Sequence, residues 1–181
     1  MGTLAERLGE CASLTYLDVS CNRFGPEGAR RLAVVLGGCT ALKCLDLGNN
    51  QLGSDGAGRL AGALKDCRTL AGLNLRCNML GNEGARKLAL VLGQCSTLAV
   101  LGLSQNQIGD AGAEKLASVL AGCASLTYLD LTCNAFGDSG AEMVAAGLRA
   151  CTTQVLVDLR ARERLLAAVV PIQVGGHRIW R

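Results

Sequence analysis

The sequence predicts an α/β solenoid: a curved parallel β-sheet on the inside of an arc, with α-helices on the outside. Three observations predict it. Cysteines recur every 28 residues, at Cys11, Cys39, Cys67, Cys95, Cys123 and Cys151, without one insertion. The first five are each followed by the same spacing of leucines around one asparagine. Within every unit the apolar period then changes from two to about 3.6, a strand handing over to a helix.

The first copy reads Leu14, Leu17, Val19, Asn22, Phe24, and the second Leu42, Leu45, Leu47, Asn50, Leu52. Leu70, Leu73, Leu75, Asn78, Leu80 and Leu98, Leu101, Leu103, Asn106, Ile108 follow, and the fifth is Leu126, Leu129, Leu131, Asn134, Phe136. This is L-x-x-L-x-L-x-x-N-x-L five times over.

In chain order, residues 1–10 carry Leu4, Ala5 and Leu8 in the slots of Leu32, Ala33 and Leu36, so they form the end of a truncated repeat. Five 28-residue repeats occupy 11–38, 39–66, 67–94, 95–122 and 123–150. In each, alternation such as Leu17 and Val19 marks a short strand with one buried face. Gly25, Gly53, Gly81, Gly109 and Gly137 fill a single slot, a turn expected to need positive φ. Ser54, Asn82, Asp110 and Asp138 follow directly and suit a helix N-cap, with Pro26 the exception. Ala29, Leu32, Ala33 and Leu36, spaced i, i+3, i+4, i+7, then mark one face of a helix. Residues 151–162 are a degenerate sixth repeat: Val157 and Leu159 keep the strand slots, but Gln154 replaces the first leucine and Arg162 the asparagine. Residues 163–181 are a non-repeat tail, open to reading as a cap, a linker stub or a segment foreign to the fold.

One unit cannot bury its own leucines, whereas stacked units can. Strands pair about 4.8 Å apart and helices pack about 8 to 10 Å apart. The strand side is therefore the concave side. Asn22, Asn50, Asn78, Asn106 and Asn134 lie where the backbone leaves the strand, and a side chain with two donors and an acceptor can bridge neighbouring turns there as a structural ladder.

Composition agrees. Half of the chain is apolar but only 3% is aromatic, so the core is built from Leu, Ala and Val. The longest apolar run, Leu165–Ile172, is far short of the roughly 18 to 20 residues that span a bilayer, and no membrane association is expected. Met1–Arg7 lacks the features of a secretory signal, and Glu6 stands where myristoylation wants Ser or Thr. Of the net charge of +3, residues 160–181 hold five arginines against Glu163, which leaves the repeats near −1. A nucleic-acid reader would carry a basic stripe along the body, so nucleic acid is not an expected partner.

The 28-residue unit, with a helix after L-x-x-L-x-L-x-x-N-x-L-G, resembles the ribonuclease-inhibitor-like class of leucine-rich repeats. Asn106–Ala113 and Asn134–Ala141 are most similar to the repeat domains of NLR-type (NACHT, LRR) cytosolic receptors. The resemblance covers roughly residues 3–160. It implies a leucine-rich-repeat solenoid that binds proteins, as part of or derived from such a receptor. Ran GTPase-activating proteins use similar repeats, so regulation of a small GTPase is the alternative; a gene fragment without an independent role is the third reading.

Candidate chemistry is sparse. No C-x-x-C spacing offers a zinc site, and no metal or cofactor is expected. The cysteines admit structural thiols, disulfides or metal ligation. Their coincidence with the repeat favours reduced structural thiols, and with them a cytoplasmic location. His177 is the only histidine, so no catalytic residue is expected. Gly25-x-x-Gly28 and its copies mimic a phosphate cradle but recur with the repeat, as structure does. The informative residues point outward from the strands: Tyr16, Asp18, Asp46, Asn74, Arg76, Tyr128 and Asp130. Asp18, Asp46 and Asp130 share one slot, with Asp158 in the partial copy. Such a row is expected to repel itself and to give the fold nothing. It reads either as a soluble choice or as an acidic stripe for a basic protein partner, anchored by the tyrosines. The outward helical cations, among them Arg30, Arg31, Arg59, Arg86, Lys87 and Lys115, are read as a solvated convex face. Uncapped ends make self-association possible.

Overall fold

The computed structural model describes residues 12–151 and 155–159. The truncated first repeat, Gln154, Arg162 and the tail lie outside the described residues. Strand and helix alternate as β1 (Tyr16–Asp18), α1 (Gly25–Leu36), β2 (Cys44–Asp46), α2 (Gly53–Leu64), β3 (Gly72–Asn74), α3 (Gly81–Leu92), β4 (Val100–Gly102), α4 (Asp110–Leu120), β5 (Tyr128–Asp130), α5 (Asp138–Arg149) and β6 (Leu156–Asp158). The strands form one parallel sheet in chain order. Register advances by one repeat at each step, so Leu17, Leu45, Leu73, Leu101, Leu129 and Val157 are successive partners. The expected α/β solenoid is the observed fold.

The strands are three residues long, yet inter-repeat bonding runs further. The Val19 amide donates to the Asp46 carbonyl at 3.0 Å, and the Cys21 amide to the Gly48 carbonyl at 2.8 Å. The core is a set of leucine columns. Leu45, Leu73, Leu101 and Leu129 form one and Leu47, Leu75, Leu103 and Leu131 the next, all buried. Ala57, Leu60 and Leu64 of α2, and their copies on α3 and α4, close the core from outside. Burying one such leucine stabilises by about 1.5 to 3 kcal/mol, and each is shared between adjacent repeats.

The strand-to-helix turn departs from expectation in a way that divides the solenoid. Gly25, Gly53 and Gly81 take φ of +59°, +62° and +60°. Gly109 and Gly137 instead lie at −94° and −95°, in extended backbone. The cause is one repeat upstream. Asn82 Oδ1 accepts the amides of Gly109 and Gly112, at 2.7 and 3.0 Å. Asp110 Oδ1 accepts those of Gly137 and Gly140, at 2.8 and 3.0 Å. Asn82 and Asp110 therefore satisfy the first amides of the next helix rather than of their own, which corrects their reading as local caps. In the three earlier turns the glycine amide bonds forward, as Gly53 does to the Asn78 carbonyl at 2.9 Å. The second glycine of each pair has a packing role: a Cβ on Gly84 would stand 2.8 Å from the Leu80 Cβ.

Candidate functional site

The strand-exit turns set the frame. Asn78 Oδ1 accepts the amides of Asn50 (3.0 Å) and Leu52 (3.3 Å) from the preceding repeat. Its Nδ2 lies 2.9 to 3.0 Å from the carbonyls of Leu47, Leu75 and Arg76. Asn50 and Asn106 make the same set and, like Asn78, are fully buried. Asn134 is partly buried and takes the amides of Asn106 and Ile108. Asn22 is exposed and donates to the Val19 and Ser20 carbonyls. The asparagine is flanked by left-handed residues, as at Cys77 (φ 54°) and Met79 (φ 55°) around Asn78. That conformation is uncommon away from glycine.

The concave row is not uniform. Its members stand in register, Asp18 beside Asp46, Asp46 beside Asn74, and Gly102 beside Asp130. Asp18 is exposed and Asp130 half-buried, but Asp46 is 8% exposed and Asn74 only 1%. Asn74 Nδ2 donates to Asp46 Oδ2 at 3.0 Å. Arg76 lies over Gly48: its Cγ and Nε, and Asp46 Oδ1, would all stand 3.1 to 3.3 Å from a Cβ built there. Asp46 and Asn74, read from the sequence as part of an open binding row, are thus covered and bonded to each other. The open carboxylate is that of Asp18 on the edge strand β1; Asp130 on β5 is half-buried and also accepts the Thr132 hydroxyl at 2.7 Å.

The row also serves the fold, against expectation. Asp18 Oδ1 accepts the Ser20 amide (2.9 Å), Asp46 Oδ1 that of Gly48 (2.8 Å), Asn74 Oδ1 that of Arg76 (3.1 Å) and Asp130 Oδ1 that of Thr132 (2.9 Å). Each turns the chain out of its strand by an Asx-type bond to the residue two positions on. The signal was in the sequence, since Asp and Asn share this slot and both favour that bond. The Ser20 backbone and side chain hold the Asp18 carboxyl below its usual range, against the slight desolvation that raises it. Tyr16, 53% exposed, begins this face, and partial burial with Asp18 and Asp46 nearby raises its hydroxyl pKa.

Apart from Cys44 on β2, the described cysteines form two classes, and none of the nine is in a disulfide. Cys67 and Cys123 of the 28-residue series are pushed up to about 11, chiefly by burial, and their thiols lie 3.4 and 3.5 Å from carbonyls of the preceding helix. The strand-exit cysteines differ: Cys21 and Cys133 are exposed and Cys77 is half-buried. On the convex side, Glu27 pairs with Arg30 and Arg31, Glu83 with Arg86, and Lys87 bridges to Asp55 at 3.1 Å. Among the described residues no group of three His, Cys, Asp or Glu is placed to hold a metal. No helix among them is long and apolar enough to cross a membrane.

The family described as "Leucine Rich repeat" matches residues 10–33, 38–61, 66–89, 94–117 and 122–145. No curated protein matches the chain. Among solved structures, the Leiomodin-1 Actin-Binding Site 2 domain is similar, with TM-score 0.64 and 20% identity over 82% of this chain and 92% of that one. The tropomodulin C-terminal domain of Caenorhabditis elegans is similar with TM-score 0.66 and 16% identity, over 82% and 93%. At these identities the likeness is one of fold.

Proposed function

The chain belongs to the leucine-rich-repeat family, and on that premise we propose that it is a protein-interaction module that docks a basic partner on its concave sheet. One observation carries the reading: Tyr16-Leu-Asp18 on β1, exposed, and Tyr128-Leu-Asp130 on β5, half-buried, repeat the same aromatic and acid at two places on a rigid sheet. The Asx bond accounts for an acceptor in the Asp slot, which Asn74 supplies without charge; the charges themselves remain for a partner. A strand holds these groups in place, so docking costs little side-chain entropy, and the field steers a cationic partner. The convex cations are largely engaged by acids of their own or the adjacent helix.

The receptor-type resemblance of Asn106–Ala113 and Asn134–Ala141 supports a place in a larger NLR-like protein. The similarity to a leiomodin-1 domain named for actin binding makes actin the first partner to assay. The test compares capture from cell extract by the native chain, by Asp18→Asn with Asp130→Asn, and by convex Arg86→Glu. Asn keeps the Asx bond and removes only charge. Partners should be lost with the concave pair and kept with Arg86→Glu; the reverse pattern would move the binding face to the helices.

A further inference from the structure

Resting on the concave-face reading, we infer that the face is shaped for an extended basic segment of a partner, with cationic side chains about six residues apart and two apolar side chains between them. The tyrosine row reads Tyr16, Cys44, Gly72, Val100, Tyr128 across five strands in register. The row continues to Leu156 on β6, but from Tyr16 to Tyr128 it is low in the middle: a ring on each side, Cys44 and Val100 inside them, and no side chain at Gly72. The acidic row beside it runs Asp18, Asp46, Asn74, Gly102, Asp130, with Asp158 in register next to Asp130. Its centre is closed by the Asn74–Asp46 bond and by glycine. Between β1 and β5 the face therefore has two aromatic-acidic sites and a low floor at Cys44, Gly72 and Val100, with Arg76 beside it over Gly48.

The spacing selects the occupant. Four strand intervals of about 4.8 Å put Asp18 and Asp130 about 19 Å apart along the arc. An extended chain rising about 3.3 Å per residue covers that in about six residues. Alternation then points positions one, three, five and seven at the sheet. The outer two reach the carboxylates, their stems lying on the Tyr16 and Tyr128 rings. The inner two settle over Cys44, Gly72 and Val100. A helix is a straight rod about 10 Å across; it would span the arc as a chord and leave the Gly72 floor empty.

The test titrates the whole chain with the peptide Lys-Thr-Leu-Thr-Leu-Thr-Lys, followed by amide NMR shifts. Controls replace both lysines by Glu, both leucines by Ser, or delete the central threonine to break the alternation. We expect saturable shifts centred on Gly72 and both tyrosines, and affinity about tenfold weaker or worse for every control. Two variants should weaken binding of the parent peptide similarly: Asp18→Asn with Asp130→Asn, and Gly72→Val, which puts in that slot the residue Val100 already supplies next door. Circular dichroism melts establish that both fold. No binding, equal binding of the Glu or deleted peptide, or indifference to Gly72→Val overturns the inference. Those results leave the concave-face reading standing, because the extract capture tests that face without regard to peptide pattern.

Discussion

Asn74 Nδ2 donates to Asp46 Oδ2 at 3.0 Å across β2 and β3, joining two side chains that are both buried on the concave face of the sheet. Asp46 also accepts the Gly48 amide. Asp46→Ala removes two bonds from a covered site and is expected to cost about 1 to 3 kcal/mol. Asp18→Ala, at the exposed end of the same row, should stay within about 0.5 kcal/mol of wild type. Urea melts of the two variants check the ranking; equal costs would mean that Asp46 is solvated.

The ladder asparagines should rank by position. Asn78→Ala takes away a side chain that accepts two amides and donates to three carbonyls, all between turns that fold only against each other. A loss of about 3 kcal/mol or more is expected, since several buried groups each lose a partner. Asn22→Ala loses bonds made in solvent, within its own repeat, and should cost about 1 kcal/mol or less. Denaturant midpoints at constant m-value distinguish the two.

These contrasts show which parts of the molecule the sequence could reveal. The leucine columns were legible because the repeat puts the same residue in every copy, and register follows from period alone. The slot of Asn78 was legible for the same reason. Burial of Asp46 was not, because Asn74 and Arg76, which close over it, come from the next repeat and are not repeated elsewhere. The left-handed turns were hidden too: Cys77, Gln105 and Cys133 occupy them without glycine, so the usual marker is absent. Gly109 and Gly81 share a slot in the sequence, and their opposite conformations are decided by Asn82 and Ser54 one repeat earlier.

That last dependence is testable. Asp110→Ala leaves the amides of Gly137 and Gly140 without their acceptor at the start of α5. The expected cost is about 0.5 to 2 kcal/mol, as for loss of an N-cap. Ser54→Ala, one slot equivalent, precedes a turn in which the Gly81 amide already bonds to the Asn106 carbonyl, and should be near neutral. Hydrogen exchange separates local from global effects: Asp110→Ala should speed exchange in the first turn of α5, in the repeat after the substitution, more than in α4.

Alkaline pH should weaken the fold through two thiols of the 28-residue series. Cys67 and Cys123 titrate near 11 in the folded chain because burial disfavours the thiolate, whereas an unfolded cysteine titrates near 8.5. Between those values the unfolded state has lost its thiol protons and the native state has kept them. With fewer protons bound in the unfolded state, the free energy of unfolding falls as pH rises. The stabilisation is whole below about pH 8.5 and is lost as pH approaches 11. Tyrosine and lysine also titrate in this range, so the comparison is with Cys67→Ala plus Cys123→Ala. The double variant should start from a lower stability at pH 7, because one buried and one half-buried thiol are gone, but decline less steeply between pH 8.5 and 11. Thiol labelling should follow the same division in the native chain: Cys21 and Cys133 react at pH 7.5, while Cys67 and Cys123 react only after denaturant is added. Parallel pH slopes for the two proteins, or rapid native labelling of Cys67, would show that the 28-residue thiols are open to solvent.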